Sequence, residues 1–132
     1  MSRDYLFGDA KATAKAGDAQ RKQRVLAEAK TAYQSDPSAQ TQAALAHALF
    51  DVGRYDEAER LLTDLLNSKG DDIQLVCDLG FIYKNLGKSE QAIEMFKRVV
   101  ALDAKHALAR CAENEIWMMD PTYRPSWLRA DK

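Results

Sequence analysis

The sequence predicts an all-α fold made of helical hairpins that stack on one another. Two observations predict it. Apolar residues recur at three- and four-residue spacing, which gathers them on one face of a helix. The pattern is also written twice: FDVGRYDEAERLLTDLL, from Phe50, and KNLGKSEQAIEMFKRVV, from Lys84, share a Gly, a short polar run, an Ala and an apolar ladder. Overlaying Gly53 on Gly87 sets an offset of 34 residues. At that offset Gln40 meets Gln74, Leu45 meets Leu79 and Ala58 meets Ala92, and residue class matches without a gap over residues 39–106. A single hairpin cannot bury its apolar stripes; a neighbouring hairpin can bury them.

Residues 1–18 read as an N-terminal segment, partly frayed. Residues 1–8 have little to tie them down, and a weak Ala- and Lys-rich helix over residues 9–16 is expected to be interrupted at Gly17. Residues 19–38 read as a helix of a degenerate preceding repeat. Val25, Leu26, Ala29, Ala32 and Tyr33 form its stripe, and Asp36-Pro37 ends it, one residue out of register.

Residues 39–72 form the first full repeat. Gly53 stops its first helix, and Ala58, Leu61, Leu62, Leu65 and Leu66 line the second. Residues 73–106 form the second repeat. Leu75, Val76, Leu79, Ile82, Tyr83 and Leu86 line its first helix. Gly87, free to adopt positive φ, closes the last turn. Ser89 is expected to cap the next helix, whose stripe is Ala92, Ile93, Phe96, Val99 and Val100. The short links force antiparallel packing, and Ala58 and Ala92 stand where the helices must come close.

Residues 107–120 read as a capping helix with Ala107, Ala109, Ala112, Ile116 and Trp117 inward, ended by Asp120-Pro121 because proline cannot continue a helix. Glu113 occupies the slot held by Leu45 and Leu79, which predicts one wet face. Residues 121–132 form a tail. Tyr123, Trp127 and Leu128 make it too apolar for a free linker, so it is expected to dock, either as an end seal or in a groove, its own or a neighbour's.

Composition narrows the function. The chain has 132 residues, 46% apolar, 30% charged, with net charge −1. A near-neutral balance argues against a nucleic-acid binder, which needs a basic face for phosphate, and against a polybasic membrane module. No apolar run approaches the roughly 20 residues of a membrane span, and the first residues lack the apolar core of a signal peptide. A cytoplasmic protein is the expectation. Charge is uneven: residues 1–30 carry seven Lys/Arg against four Asp/Glu, and residues 39–72 carry three against seven. Solvated helix faces account for this, and head-to-tail attraction in a homo-oligomer is the alternative.

No catalytic constellation stands out. A Gly-rich phosphate loop and an H-E-x-x-H pattern are both absent, and Ser89 and Ser126 have no recognisable base. No catalytic residue, cofactor or metal is expected. Cys77 and Cys111 lie 34 apart, at equivalent places in successive units. Successive equivalent helices stand about 9–10 Å apart, beyond the ~7 Å limit between the Cα atoms of a disulfide.

The second copy resembles the tetratricopeptide repeat family. That family's signature is W-x2-L-G-x2-Y, then A-x3-F, then P, and Leu79, Gly80, Tyr83, Ala92 and Phe96 match it, with Val76 at the Trp slot and Ala104 at the Pro slot. The first copy is looser, with Gln42, Ala46, Leu49, Leu62 and Gly70 at variant slots. The resemblance implies a right-handed solenoid with a C-terminal capping helix. It also implies a non-enzymatic adaptor or assembly factor that binds a peptide or helix of a protein partner in a concave groove lined by the first helix of each repeat. Residue by residue, that groove takes Gln40, Ala43, His47 and Phe50 from the first repeat and Gln74, Cys77, Phe81, Lys84 and Asn85 from the second. Leu108, Cys111, Glu115 and Met118 complete it from the capping helix. Phe50 and Phe81 are the expected anchors. Chaperone-binding members of the family grip a C-terminal carboxylate with Lys, Asn and Arg. Those slots here hold Ala43, Ala44, His47, Cys77, Asp78 and Phe81, so that subclass does not fit. A self-associating structural protein and a dedicated chaperone of a secretion client are the alternative readings.

Overall fold

The computed structural model describes the backbone of residues 3–129 and the side chains of residues 17–128. The described residues form seven helices and no strand. The chain divides into two compact units, Met1–Arg54 and Tyr55–Lys132. The boundary falls within residues 39–72, between the two helices expected there.

The first unit holds α1 (Arg3–Ser35) and α2 (Ala39–Asp51), packed on each other. α1 runs through Gly17 without the expected interruption. An isolated glycine costs a helix about 1 kcal/mol relative to alanine; it does not forbid one. Residues 3–8, expected to fray, lie in the same helix, and Met1 and Ser2 lie outside the described residues. The α1 stripe is narrower than its sequence suggests. Leu26 is buried and Ala29 and Tyr33 are half-buried, but Ala32 is exposed and Val25 is 46% exposed. From α2, Leu45, Ala46, Ala48 and Leu49 are buried.

The second unit holds α3 (Tyr55–Lys69), α4 (Ile73–Asn85), α5 (Ser89–Leu102), α6 (Ala107–Met119) and the short α7 (Ser126–Arg129). α4 packs against α3 and α5, α6 packs against α5, and α4 also touches α6. The core gathers Val76, Ala92, Phe96, Val99, Ala112 and Ile116, all fully buried. Burying a side chain of the size of Phe96 or Ile116 contributes about 1.5–3 kcal/mol. Ala58 and Ala92 are completely buried, as close helix crossings require.

Punctuation repeats with the same period as the apolar ladders. At the end of α2, Gly53 (φ 84°) donates its N–H to Phe50 O, and Arg54 N–H donates to Leu49 O. At the end of α4, Gly87 (φ 80°) donates to Lys84 O, and Lys88 N–H donates to Tyr83 O. Both ends are Schellman motifs, in which a left-handed residue lets two N–H groups satisfy the last carbonyls.

Helix starts repeat too. Ser38, Asp72 and His106 precede α2, α4 and α6 at the same 34-residue spacing, and each side chain accepts a backbone hydrogen bond. Ser38 Oγ accepts from Thr41 N–H, Asp72 Oδ1 from Gln74 and Leu75 N–H, and His106 Nδ1 from Leu108 N–H at 3.0 Å. Ser89 does not cap α5. It is the first helical residue, Lys88 holds the capping position, and no side chain bonds there. The Schellman turn draws Lys88 N–H back to Tyr83, and this places the helix start one residue earlier than expected.

α6 differs most from expectation. Ala109, Ala112 and Ile116 are buried as predicted, but Ala107 is exposed and Trp117 is 38% exposed. Glu113, expected on a wet face, is only 2% exposed. The tail covers it. Pro125 is buried, Tyr123 packs against the core, and Ser126 N–H donates to Glu113 Oε2 at 2.5 Å. At the turn into the tail, the Thr122 hydroxyl and backbone N–H bond to Asp120 and hold its carboxyl below the usual range.

Candidate functional site

The first helices of the second unit, α4 and α6, share a face. Lys84 Nζ donates to Glu115 Oε2 across it at 2.6 Å. The Glu115 side chain is 13% exposed and Lys84 38%, so the pair is partly shielded from water. Phe81 and Leu108 are half-buried on the same core cluster. Cys111 is exposed, and Met118 is 65% exposed. The helical repeat explains the grouping. Residues 74, 78, 81 and 85 fall on one stripe of α4, and residues 108, 111, 115 and 118 on one stripe of α6.

One expected groove residue, Cys77, belongs to the core, and a second, Phe81, is half-buried against it. Cys77 is 1% exposed. Burial pushes its thiol up to about 12, and the neighbouring charges of Asp78, Cys111 and Glu115 push in the same direction. A buried thiol held protonated is a poor nucleophile, since the thiolate is the reactive form. Phe81 is held edge-on by Phe96, with ring centroids 5.1 Å apart and planes at 79°. It therefore supports the core while showing part of its ring. The reason is the position of α4, which has neighbours on several sides and so buries more than one stripe.

The remaining expected residues reach the surface. Gln74 is exposed, and its amide donates to Asp78 Oδ1 at 3.0 Å. Asn85 is exposed and donates to Phe81 O, which ties the end of α4. Gln40 and His47 are exposed and Phe50 is half-buried on α2, in the first unit. The structure thus brings Phe81, Lys84, Leu108, Cys111, Glu115 and Met118 onto one face of the second unit. The Lys84–Glu115 pair went unnoticed in the sequence, although a signal exists. Glu115 aligns with Phe81 at the repeat offset, and Lys84 follows Phe81 by three residues, close to one helical turn.

Behind this face the second unit is braced by polar contacts. Tyr83 hydrogen-bonds Glu59 of α3, and burial and that carboxylate both raise its phenol above the usual range. Lys88 lies 4.0 Å from Glu59 and 5.9 Å from the centre of the Tyr83 ring. Arg98 of α5 pairs with Asp71 before α4.

Among the described residues no group of three or more His, Cys, Asp or Glu could hold a metal ion. No helix among them is long and apolar enough to cross a membrane.

Comparison with known proteins agrees with the helical hairpins. The family model described as "Tetratricopeptide repeat" matches residues 49–112. No curated protein matches the chain. Repeats of this family generally mediate protein–protein interaction, and the fold is generally non-catalytic. The matched span takes in the α4 stop at Gly87 and most of the α4/α6 face. Residues 49–112 are thus a tetratricopeptide repeat region of the chain.

Proposed function

We propose that the chain is a non-enzymatic adaptor or assembly factor whose α4/α6 face binds an extended or helical segment of a protein partner. One observation carries the reading: a partly exposed apolar surface of Phe81, Leu108 and Met118, bordered by the Lys84–Glu115 ion pair. Exposed apolar groups beside fixed polar ones are what a peptide-binding surface presents. Lys84 is engaged by Glu115, which leaves it poorly placed to receive a partner's terminal carboxylate. The two free cysteines fit a reducing compartment.

The test is affinity capture from the native cell with three variants. Met118→Glu and Gln74→Arg alter the face at exposed positions, and Lys97→Glu alters the exposed side of α5. A partner retained by the wild type and by Lys97→Glu, but lost from the first two at unchanged melting temperature, supports the reading. Equal capture by all variants overturns it. Capture of the chain itself, with scattering that grows with concentration, would favour the self-associating alternative. Capture of one secretion client would favour the dedicated chaperone.

A further inference from the structure

Two residues of α6 hold the tail, and one of them, Glu113, breaks the apolar pattern of both repeats. At the repeat offset Glu113 aligns with Leu79 and Leu45, and Arg110 aligns with Val76 and Gln42. The Arg110 guanidinium lies over the Trp127 ring, 5.3 Å from its centre. The Glu113 carboxylate accepts the N–H of Ser126, the first residue of α7. Between these two grips Pro125 is buried. In the repeat before it, the corresponding face is covered by a full second helix, α5, with the Phe96 ring pressed against Gly80. Among the described residues α6 is followed by the short α7 and not by a full second helix. The α6 equivalent of Gly80 is Asn114, exposed, and the tail takes the covering role.

We propose that Glu113 is the latch of a C-terminal strap: it gives up the repeat's leucine so that the tail's main chain can be held against α6. A buried carboxylate is costly unless it is hydrogen-bonded, and leucine at this slot would serve the core better. The cost is offset by fixing the strap. Glu113 is therefore a positioning residue, and its loss frees the tail more than it harms the helices. The inference is independent of what the α4/α6 face binds.

The test uses the full chain in a Trp117→Phe background, so that fluorescence reports Trp127. Glu113→Leu should raise acrylamide quenching of Trp127 about twofold or more, and speed chymotryptic cleavage after Tyr123 or Trp127 about tenfold, since a protease reads local opening. The helical signal should melt no earlier than in the parent. Glu113→Gln, whose amide oxygen can still accept from Ser126, should retain most of the protection. Ser126→Pro removes the donor from the other side and leaves α6 untouched; proline is tolerated at the first position of a helix. It should release the tail as Glu113→Leu does. Cleavage and quenching within about twofold of the parent in Ser126→Pro would overturn the latch, whatever Glu113→Leu does to folding.

Discussion

The Phe96 ring stands where Gly80 lacks a side chain. A Cβ on Gly80 would lie 2.7 Å from Phe96 Cε1 and 2.9 Å from Cδ1 and Cζ. Both residues are buried, Phe96 completely, so the ring has nowhere to retreat. Gly80→Ala should therefore destabilise the protein. Overpacking costs about 1–3 kcal/mol, and only about 1 kcal/mol is recovered from alanine's better helix propensity. Urea unfolding checks this, and a midpoint at or above the wild type would contradict the contact.

Ala92 on α5 is 0% exposed. Ala92→Leu should cost about 1–3 kcal/mol, the scale of overpacking. A surface position would change stability by less than about 0.5 kcal/mol, and such a result would show that the helix crossing is looser than the structure has it.

His106 starts α6 with a ring nitrogen where the preceding repeats use a hydroxyl and a carboxylate. Removing this acceptor in His106→Ala should cost about 0.5–2 kcal/mol, as cap losses do. His106→Asp should restore most of it, because aspartate performs the same task at Asp72. If alanine and aspartate behaved alike in thermal melts, the ring would not be acting as a cap.

The two thiols should react very differently. Cys111 is exposed, and Cys77 is buried with its thiol pushed up to about 12. In the native protein a maleimide should modify one thiol, and in denaturant two. Raising the pH to about 9, near the ordinary thiol value, should still leave Cys77 unmodified, since its thiol is pushed up to about 12. Native modification of Cys77, read by peptide mass, would mean that the core opens readily. A fluorophore on Cys111 would also report occupation of the α4/α6 face.

Tyr83 predicts an alkaline limit. Its phenol is raised by burial first and by Glu59 second. A group raised in the folded state contributes stability that is complete below its unfolded value, about 10. That contribution is lost as pH rises toward the folded value. Stability should therefore fall above about pH 10. In Tyr83→Phe this part of the decline should vanish, at a cost near neutral pH of about 1 kcal/mol for the lost hydrogen bond. Identical alkaline melting profiles for the two proteins would exclude the Tyr83–Glu59 contact as the cause.

Taken alone, the sequence determined neither the unbroken α1 nor the short α7, but it determined the helices from α2 to α6, their order and the 34-residue period. These follow from local causes: apolar spacing names the inward face, and Gly53 and Gly87 can close a helix where other residues would be strained. The acceptors at Ser38, Asp72 and His106 were also open to view, since each precedes a helix by one residue, but a histidine cap is a weak signal. Tertiary structure alone decided how far each helix is turned and how many neighbours it meets. α4 touches α3, α5 and α6, so Cys77 and part of Phe81 pass from an expected surface into the core. The fate of Glu113 depended on the tail folding back from a distance of 13 residues. Period and propensity act within a turn or two of helix, whereas burial is set by segments that meet only after the chain has folded.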